Sequence, residues 1–300
     1  MQVIEEHAVR ELLTLDELAG ALRAAFMAIS DGTASVPPRM AAHTSAGLLG
    51  AMPGYVPGLG LGAKLVSLFR DNEAKNLPSH QALIVMFDPA DGRPLAILGA
   101  TYITAARTAG AAAVAASALT GEVHHIAVIG TGVQGRSHLD SLAHAFPGVA
   151  LIVAGRSAER ARSLAEATGA QPARDVESAV RAADVVCLAT DADDPVIDRS
   201  WLRVGCHVSS VGSGSEIDPG TLAAGRIFVE SRAAAVQPFP AGSRELEGHD
   251  PELLTEVGEV LLGTRPGRRS SDEITVYKSM GHAAEDIAAA AVVLGAAGLR

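Results

Sequence analysis

Ile126-Ala-Val-Ile-Gly-Thr-Gly-Val-Gln-Gly135 is the stretch on which the reading of this chain turns. Four apolar residues read as a buried strand. Gly130-Thr-Gly132-Val133-Gln134-Gly135 then forms a GxGxxG loop opening a helix predicted over about 134–146. In that context each glycine has a task. Gly130 makes the tight turn, Gly132 lets the backbone approach a pyrophosphate, and Gly135 lets helix and strand pack closely, with the helix N-terminus facing the negative charge. From Gly121 onward the same rhythm continues. Apolar runs at Ala150–Val153, Val185–Leu188, Val208–Val211 and Ile227–Val229 are interleaved with helical segments at 158–168 and 176–182. Strands this apolar belong in a parallel sheet covered on both faces.

In an NAD site the next strand ends in an acidic residue that holds the ribose 2′-hydroxyl. Here it ends Val153-Ala-Gly-Arg156-Ser157, with no acid until Glu159 and with Arg160 following. Arg156 and Ser157 suit a 2′-phosphate through charge-assisted hydrogen bonds, so the expected cofactor is NADPH rather than NADH.

Upstream, Thr14-Leu-Asp-Glu17 predicts a capping box starting a helix that ends near Ser30, before Asp31-Gly32. Short apolar segments at Leu48–Met52, Leu61–Phe69, Ala82–Asp88 and Pro94–Leu98 follow. The turn chemistry of Asp88-Pro-Ala-Asp-Gly92 predicts a largely antiparallel sheet. A helix of small residues, about 101–120, leads out of it, and a last helix, about 283–297, returns to it. The expected architecture is α/β: a Rossmann doubly wound parallel sheet over 121–282, plus a discontinuous α+β domain of residues 1–120 completed by 283–300. The stretch 233–247, with Pro238 and Pro240, reads as a loop over the cofactor or a surface connection.

Composition narrows the partners. In 300 residues, 24 Lys and Arg face 34 Asp and Glu, for a formal charge of −10, and no basic cluster interrupts the deficit. Nucleic acid and anionic membranes are poor partners for such a surface, and 3% aromatics offer few stacking platforms. Met1–Leu13 has no signal-peptide pattern, and the apolar runs 108–119 and 287–299 fall short of the roughly 20 residues a membrane span needs. Cys187 and Cys206 read as structural thiols in a reducing cytoplasm. Ten histidines without HxH or HExxH spacing predict no metal site.

Three cations stand in apolar settings: Arg39 after Pro37-Pro38, Lys64 in Gly62-Ala-Lys-Leu-Val, and Arg107 in Thr104-Ala-Ala-Arg-Thr-Ala. Such charges are costly unless paired. Each fits either a buried structural ion pair or a shared clamp for a substrate carboxylate, where Arg offers bidentate geometry. Tyr55 and Tyr277 read as packing, His124 and His125 as exposed, and His80 as a structural hydrogen-bonder; His282 stands closest to the expected site.

Over its whole length the sequence resembles the ornithine cyclodeaminase/mu-crystallin family. The matching motifs are Pro37-Pro-Arg39, Met52-Pro53, Gly58-Leu-Gly-Leu-Gly-Ala-Lys-Leu-Val66, Leu77-Pro-Ser-His-Gln81 and Thr104-Ala-Ala-Arg-Thr108. They continue with the glycine loop, Gly258-Glu-Val and Asp272-Glu-Ile-Thr-Val-Tyr-Lys-Ser-Met-Gly281. The resemblance implies a homodimer whose first domain supplies the subunit interface and, with the Rossmann domain, the active-site cleft. It implies substrate binding by Arg39, Lys64 and Arg107, with Met280 near the substrate. It also implies cofactor contacts from Ser79, Val133, Gln134, Thr190, Val211 and Ser279.

Two departures narrow the reaction. Ornithine cyclodeaminases carry a Glu two residues before Met-Pro, where this chain has Gly50. They also carry a catalytic Asp after the Val-Gly pair, where the shortened Val211-Gly-Ser-Gly-Ser-Glu-Ile-Asp218 offers Gly214 or Ser215. Cyclodeamination needs a general base for amino groups, so its loss disfavours that reaction. The expectation is NAD(P)H-dependent reduction of the C=N bond of a cyclic ketimine carboxylate, with Lys64 and Arg107 as the catalytic pair. The alternatives are an alanine-type amino-acid dehydrogenase, an ornithine cyclodeaminase, and a non-catalytic NADPH-dependent small-ligand binder like mu-crystallin.

Overall fold

A computed structural model of the chain describes residues 1–75, 77–238 and 241–299. It divides into two compact units, Met1–Arg107 with the segment from His282 onward, and Thr108–Gly281.

The first unit opens with strand β1 (Gln2–Ile4) and helices α1 (Glu6–Leu12) and α2 (Leu15–Ser30). Thr14 caps α2 by accepting from the Glu17 N–H. Glu17 does not reach back to the Thr14 amide as the capping box predicts. Its carboxylate accepts a hydrogen bond from the Thr14 hydroxyl instead, at 2.8 Å. Strands β2 (Met40–His43), β3 (Leu48–Val56), β4 (Gly60–Leu68), β5 (His80–Phe87) and β6 (Pro94–Gly99) follow. They form a six-stranded sheet in the order β1-β6-β5-β4-β3-β2, antiparallel except where β1 lies parallel to β6. Helix α3 (Thr101–Leu119) then carries the chain across the unit boundary.

The second unit alternates strands β7 (His125–Ile129), β8 (Ala150–Ala154), β9 (Gln171–Pro172), β10 (Val185–Leu188), β11 (His207–Ser210), β12 (Arg226–Val229), β13 (Thr255–Glu256) and β14 (Thr275–Lys278) with helices. The helices are α4 (Val133–Ala145), α5 (Ala158–Thr168), α6 (Val176–Ala182), α7 (Pro219–Ala224), α8 (Arg232–Ala235) and α9 (Val257–Leu261). All eight strands are parallel, in the order β13-β12-β14-β11-β10-β7-β8-β9. The order reverses between β7 and β10, the place where open α/β sheets bind ligands at the carboxyl ends of their strands. Both faces of this sheet carry apolar cores, one including Leu188, Val208 and Ile217, the other Ile126, Leu139 and Val185. Around 233–247 the chain forms α8 and a 3-10 turn at Arg244–Leu246; Pro240 lies outside the described residues.

The last helix, α10 (Ala283–Ala296), belongs to the first unit and packs on α2, β3 and β4. The helix predicted over about 283–297 begins where expected and ends one residue earlier, and Arg300 lies outside the described residues. The alternation of β3, β4 and β5 sorts the sheet into two faces. Gly50, Met52, Lys64, Ala82, Ile84 and Met86 face the buried side, while Leu49, Leu65 and Leu83 are exposed. Among the described residues no helix is long and apolar enough to cross a membrane.

Candidate active site

The glycine loop lies between β7 and α4, at the reversal of strand order. Its three glycines differ in what surrounds them. Gly130 has φ +138°, and a methyl group built on it would lie 2.2 Å from the Ala189 carbonyl oxygen. On Gly135 a methyl would lie 2.1 Å from the Gly130 oxygen, so α4 packs on β7 only through glycine. Gly132, the N-cap of α4, has open space in front of it. A tight turn, an open middle and a close helix contact are what a pyrophosphate cradle requires, so these residues fit a dinucleotide. Val133 is exposed beside it, and the Gln134 carbonyl is tied to His138 Nδ1 at 2.8 Å.

At the end of β8, Arg156 is exposed. Ser157 caps α5, its hydroxyl accepting from the Arg160 N–H at 3.3 Å, which leaves that hydroxyl's own proton to donate. At the carboxyl ends of β10 and β11, the Thr190 N–H donates to Glu216 Oε1 (3.2 Å), and the Val211 N–H donates to the Leu188 carbonyl (3.1 Å). The Glu216 carboxyl fits against Gly212 so tightly that a methyl there would meet its oxygen at 1.7 Å. Burial pushes the Glu216 pKa up to about 7, the neighbouring Lys278 opposing that rise and Glu245 adding to it. Lys278 is itself buried, donating to Ser210 Oγ (2.9 Å) and the Gly212 carbonyl (2.8 Å) and pairing with Glu245. Ser279 is buried just beyond, its hydroxyl donating to Glu230 Oε1 (2.6 Å), and the Met280 N–H donates to the same oxygen at 3.0 Å.

In the first unit, Lys64 and Arg107 are buried and share a partner. Lys64 Nζ donates to Asp286 Oδ1 at 2.9 Å, and Arg107 Nε lies 3.1 Å from the same oxygen. Arg107 Nη1 also donates to Glu285 Oε2 at 2.6 Å. Both carboxylates stand in the first turn of α10, where the helix dipole favours negative charge, and both are fully buried. His282 caps that helix, accepting from the Ala284 N–H. Burial lowers the Lys64 pKa to about 8; Asp286 opposes the fall, and Arg107 adds to it. Burial alone would raise the Asp286 pKa, but Lys64, Arg107 and Arg39 together hold it below the usual carboxylate value. Asp286 is therefore ionised at neutral pH while Lys64 keeps its proton.

Lys64 and Arg107 thus come together through a shared carboxylate, and half-buried Arg39, just before β2, reaches the same group electrostatically. Ser79 stands at the entry of β5, its hydroxyl 3.2 Å from His80 Nδ1. Glu285 and Asp286 were absent from the residues singled out in the sequence, yet they carry a signal: two acids in an otherwise apolar stretch, Ala283–Ala291. Glu230 shows none, because its partners lie 49–51 residues away.

Comparison with known proteins completes the assignment. The family model described as the ornithine cyclodeaminase/mu-crystallin family matches residues 1–297. The chain belongs to that family. Among its relatives, the ketimine reductase mu-crystallin of Mus musculus is 32% identical over 302 residues, covering 97% of this chain and 94% of the mouse protein. Among solved structures, the Thermococcus litoralis Delta(1)-pyrroline-2-carboxylate reductase, in complex with NADH and L-proline, matches with TM-score 0.91 and 28% identity over 99% of this chain and 97% of that one. An archaeal alanine dehydrogenase dimer with bound NAD matches with TM-score 0.90 and 30% identity over 98% and 95%. The mixed architecture read from the sequence, a Rossmann-type sheet plus a second domain, is the one this family shares.

Proposed function

We propose that this chain reduces the C=N bond of a cyclic ketimine carboxylate, of the Δ1-pyrroline-2-carboxylate or Δ1-piperideine-2-carboxylate type, to a cyclic amino acid. The observation that carries the reading is the buried junction of Lys64, Arg107 and Asp286. Three cations, Arg39, Lys64 and Arg107, bear on the single Asp286 carboxylate there, a gathering of positive charge that suits a substrate carboxylate. A nicotinamide cofactor, when bound, supplies the hydride that the imine carbon takes up. Arg107 and Arg39 hold the carboxylate, which fixes the imine carbon, and such alignment lowers the barrier without any covalent step. Lys64 holds the proton for the imine nitrogen, and a pKa of about 8 lets it give that proton up near neutral pH. The test is oxidation of NADPH and NADH, followed at their absorbance, with each ketimine. Turnover supports the reading; tight cofactor binding without turnover on either imine favours the ligand-binding alternative.

Similarity to an alanine dehydrogenase supports a second reading, in which the open-chain imine formed from pyruvate and ammonia is reduced. The same assay with pyruvate and ammonia separates the two. Cyclodeamination has less support. Gly214, one of the two residues offered in place of the catalytic Asp, packs so that a methyl there would lie 1.9 Å from the Ala192 oxygen. That position has no room for a carboxylate.

The cofactor we assign is NADPH, on the exposed Arg156 and the capping Ser157 hydroxyl. Replacing Arg156 by Ala should raise KM for NADPH by about 10–100-fold and leave NADH kinetics nearly unchanged, since a hydrogen bond to a charged group contributes about 1.5–3 kcal/mol. Equal losses with both cofactors, or none, would discard the 2′-phosphate role.

The partner we assign is a second copy. Leu65 and Leu83 are cross-strand partners on the exposed face of the six-stranded sheet, with Leu49 on the same face, and they are 37%, 48% and 50% exposed. Monomers rarely leave so continuous an apolar sheet face in water. The double change Leu65→Asp with Leu83→Asp should convert a dimer to a monomer on a sizing column with light scattering; a dimer that persists places the interface elsewhere. The free thiols Cys187 and Cys206, buried and pushed up to about 12 by that burial, fit a reducing cytoplasm.

A further inference from the structure

Glu230 closes β12, buried to 2% exposure. Its Oε1 collects three donors from one short segment: the Ser279 hydroxyl at 2.6 Å, the Met280 N–H at 3.0 Å and the Gly281 N–H at 3.2 Å. The Met280 N–H also reaches Oε2, at 3.2 Å. Buried away from water, the Glu230 carboxyl group has its oxygens satisfied by these O–H and N–H donors. The segment needs such a brace. Gly281 has φ +67°, and the turn it makes follows directly on β14, after which the chain enters the first unit at His282. Two successive amides turned toward one point do not fit a continuing strand, and Glu230 accepts from both. The brace also commits the Ser279 hydroxyl. With its proton given to Glu230 and the Gly281 N–H 3.3 Å from its oxygen, Ser279 faces a ligand only as an acceptor or through its backbone.

We infer that Glu230 is a positioning residue that fixes the Ser279–Met280–Gly281 turn for the cofactor and the imine. This inference rests on the proposed function, which assigns Ser279 to the cofactor and Met280 to the substrate. A carboxylate of this kind does no chemistry. Its loss should loosen alignment, not remove a reacting group, and alignment errors of an ångström cost about 10²-fold in turnover.

The test compares Glu230→Gln, Glu230→Leu and the unaltered protein, measuring unfolding midpoint, NADPH binding by fluorescence, and kcat and KM for Δ1-pyrroline-2-carboxylate. Gln keeps one acceptor for Ser279 and Gly281 but turns an amide N–H2 toward the Met280 N–H. Leu keeps none. The expected result is a graded fall in kcat, about tenfold for Gln and 10²-fold or more for Leu, with weaker NADPH binding and a smaller change in unfolding midpoint for Gln. If Glu230→Gln folds with unchanged kcat, KM and NADPH affinity, the inference is overturned. Should Glu230→Leu fail to fold, Ser279→Ala, which removes one donor and leaves the Glu230 carboxyl group in place, takes its place and is expected to lose part of the same kcat. If the unaltered protein turns over neither imine, the functional reading has failed. NADPH affinity then decides the brace alone: a loss in Glu230→Gln supports it, and no change overturns it.

Discussion

Lys64→Met and Arg107→Met should each lower kcat for the ketimine by about 10²–10⁴-fold while leaving NADPH binding nearly intact. The separation is expected because both side chains belong to the first unit, and the glycine loop that fits the dinucleotide belongs to the second. The two variants should fail differently. Without Arg107 the carboxylate loses its anchor, so KM rises along with the fall in kcat. Without Lys64 the imine binds but lacks its proton, so kcat takes most of the loss. Lys64 also predicts a pH limb. Its ammonium is the active form and its pKa lies near 8, so kcat should fall as pH rises through about 8. In Lys64→Met that limb should vanish from whatever rate remains. Near-normal turnover in both variants would remove the clamp.

Asp286→Ala should be the most destabilising single change at the site, by about 3–5 kcal/mol, because it strands two buried cations at once. Asp286→Asn should cost less, since an amide oxygen still accepts from Lys64. A second readout separates lost charge from lost packing. Asp286 works to keep Lys64 protonated, so its removal lets burial and Arg107 lower the Lys64 pKa further. The upper pH limb of kcat should therefore move below 8 in Asp286→Asn. A denaturant midpoint within about 1 kcal/mol of the unaltered protein for Asp286→Ala would show that the pair is not energetically coupled in this way.

What the sequence disclosed and what it withheld divides along the range of the interactions. The dinucleotide loop was legible because the demands on Gly130, Gly132 and Gly135 arise within a single turn. The helices 158–168 and 176–182 were legible for the same reason: capping and periodicity are local, as Ser157 and Asp175 show. Strand β1 was not, since three residues with one buried side chain carry no period, and only β6 makes them a strand. Strand β14 was hidden because its last residue is Lys278, whose burial depends on Glu245 and the ends of β11. At the candidate site the sequence exposed the cations by their apolar company but not their partners. Two readings of Lys64 and Arg107, ion pair or clamp, stood open, and Asp286 shows that the ion pair exists. Arg39, a third cation whose charge acts on the same Asp286, is what supports the clamp reading beside it.

The 222 residues between Lys64 and Asp286 also set an order of events during synthesis. At about 5–20 residues per second, a ribosome takes roughly 10–45 s to deliver α10 after β4 has emerged. The second unit is one unbroken stretch and closes its sheet with its own strands. The first unit, although it is made first, waits for its last helix, and during that interval Lys64 and Arg107 have no carboxylate to neutralise them. The N-terminal segment can therefore complete its packing only after the last helix is made, and until then the sheet face that α10 covers is open to water.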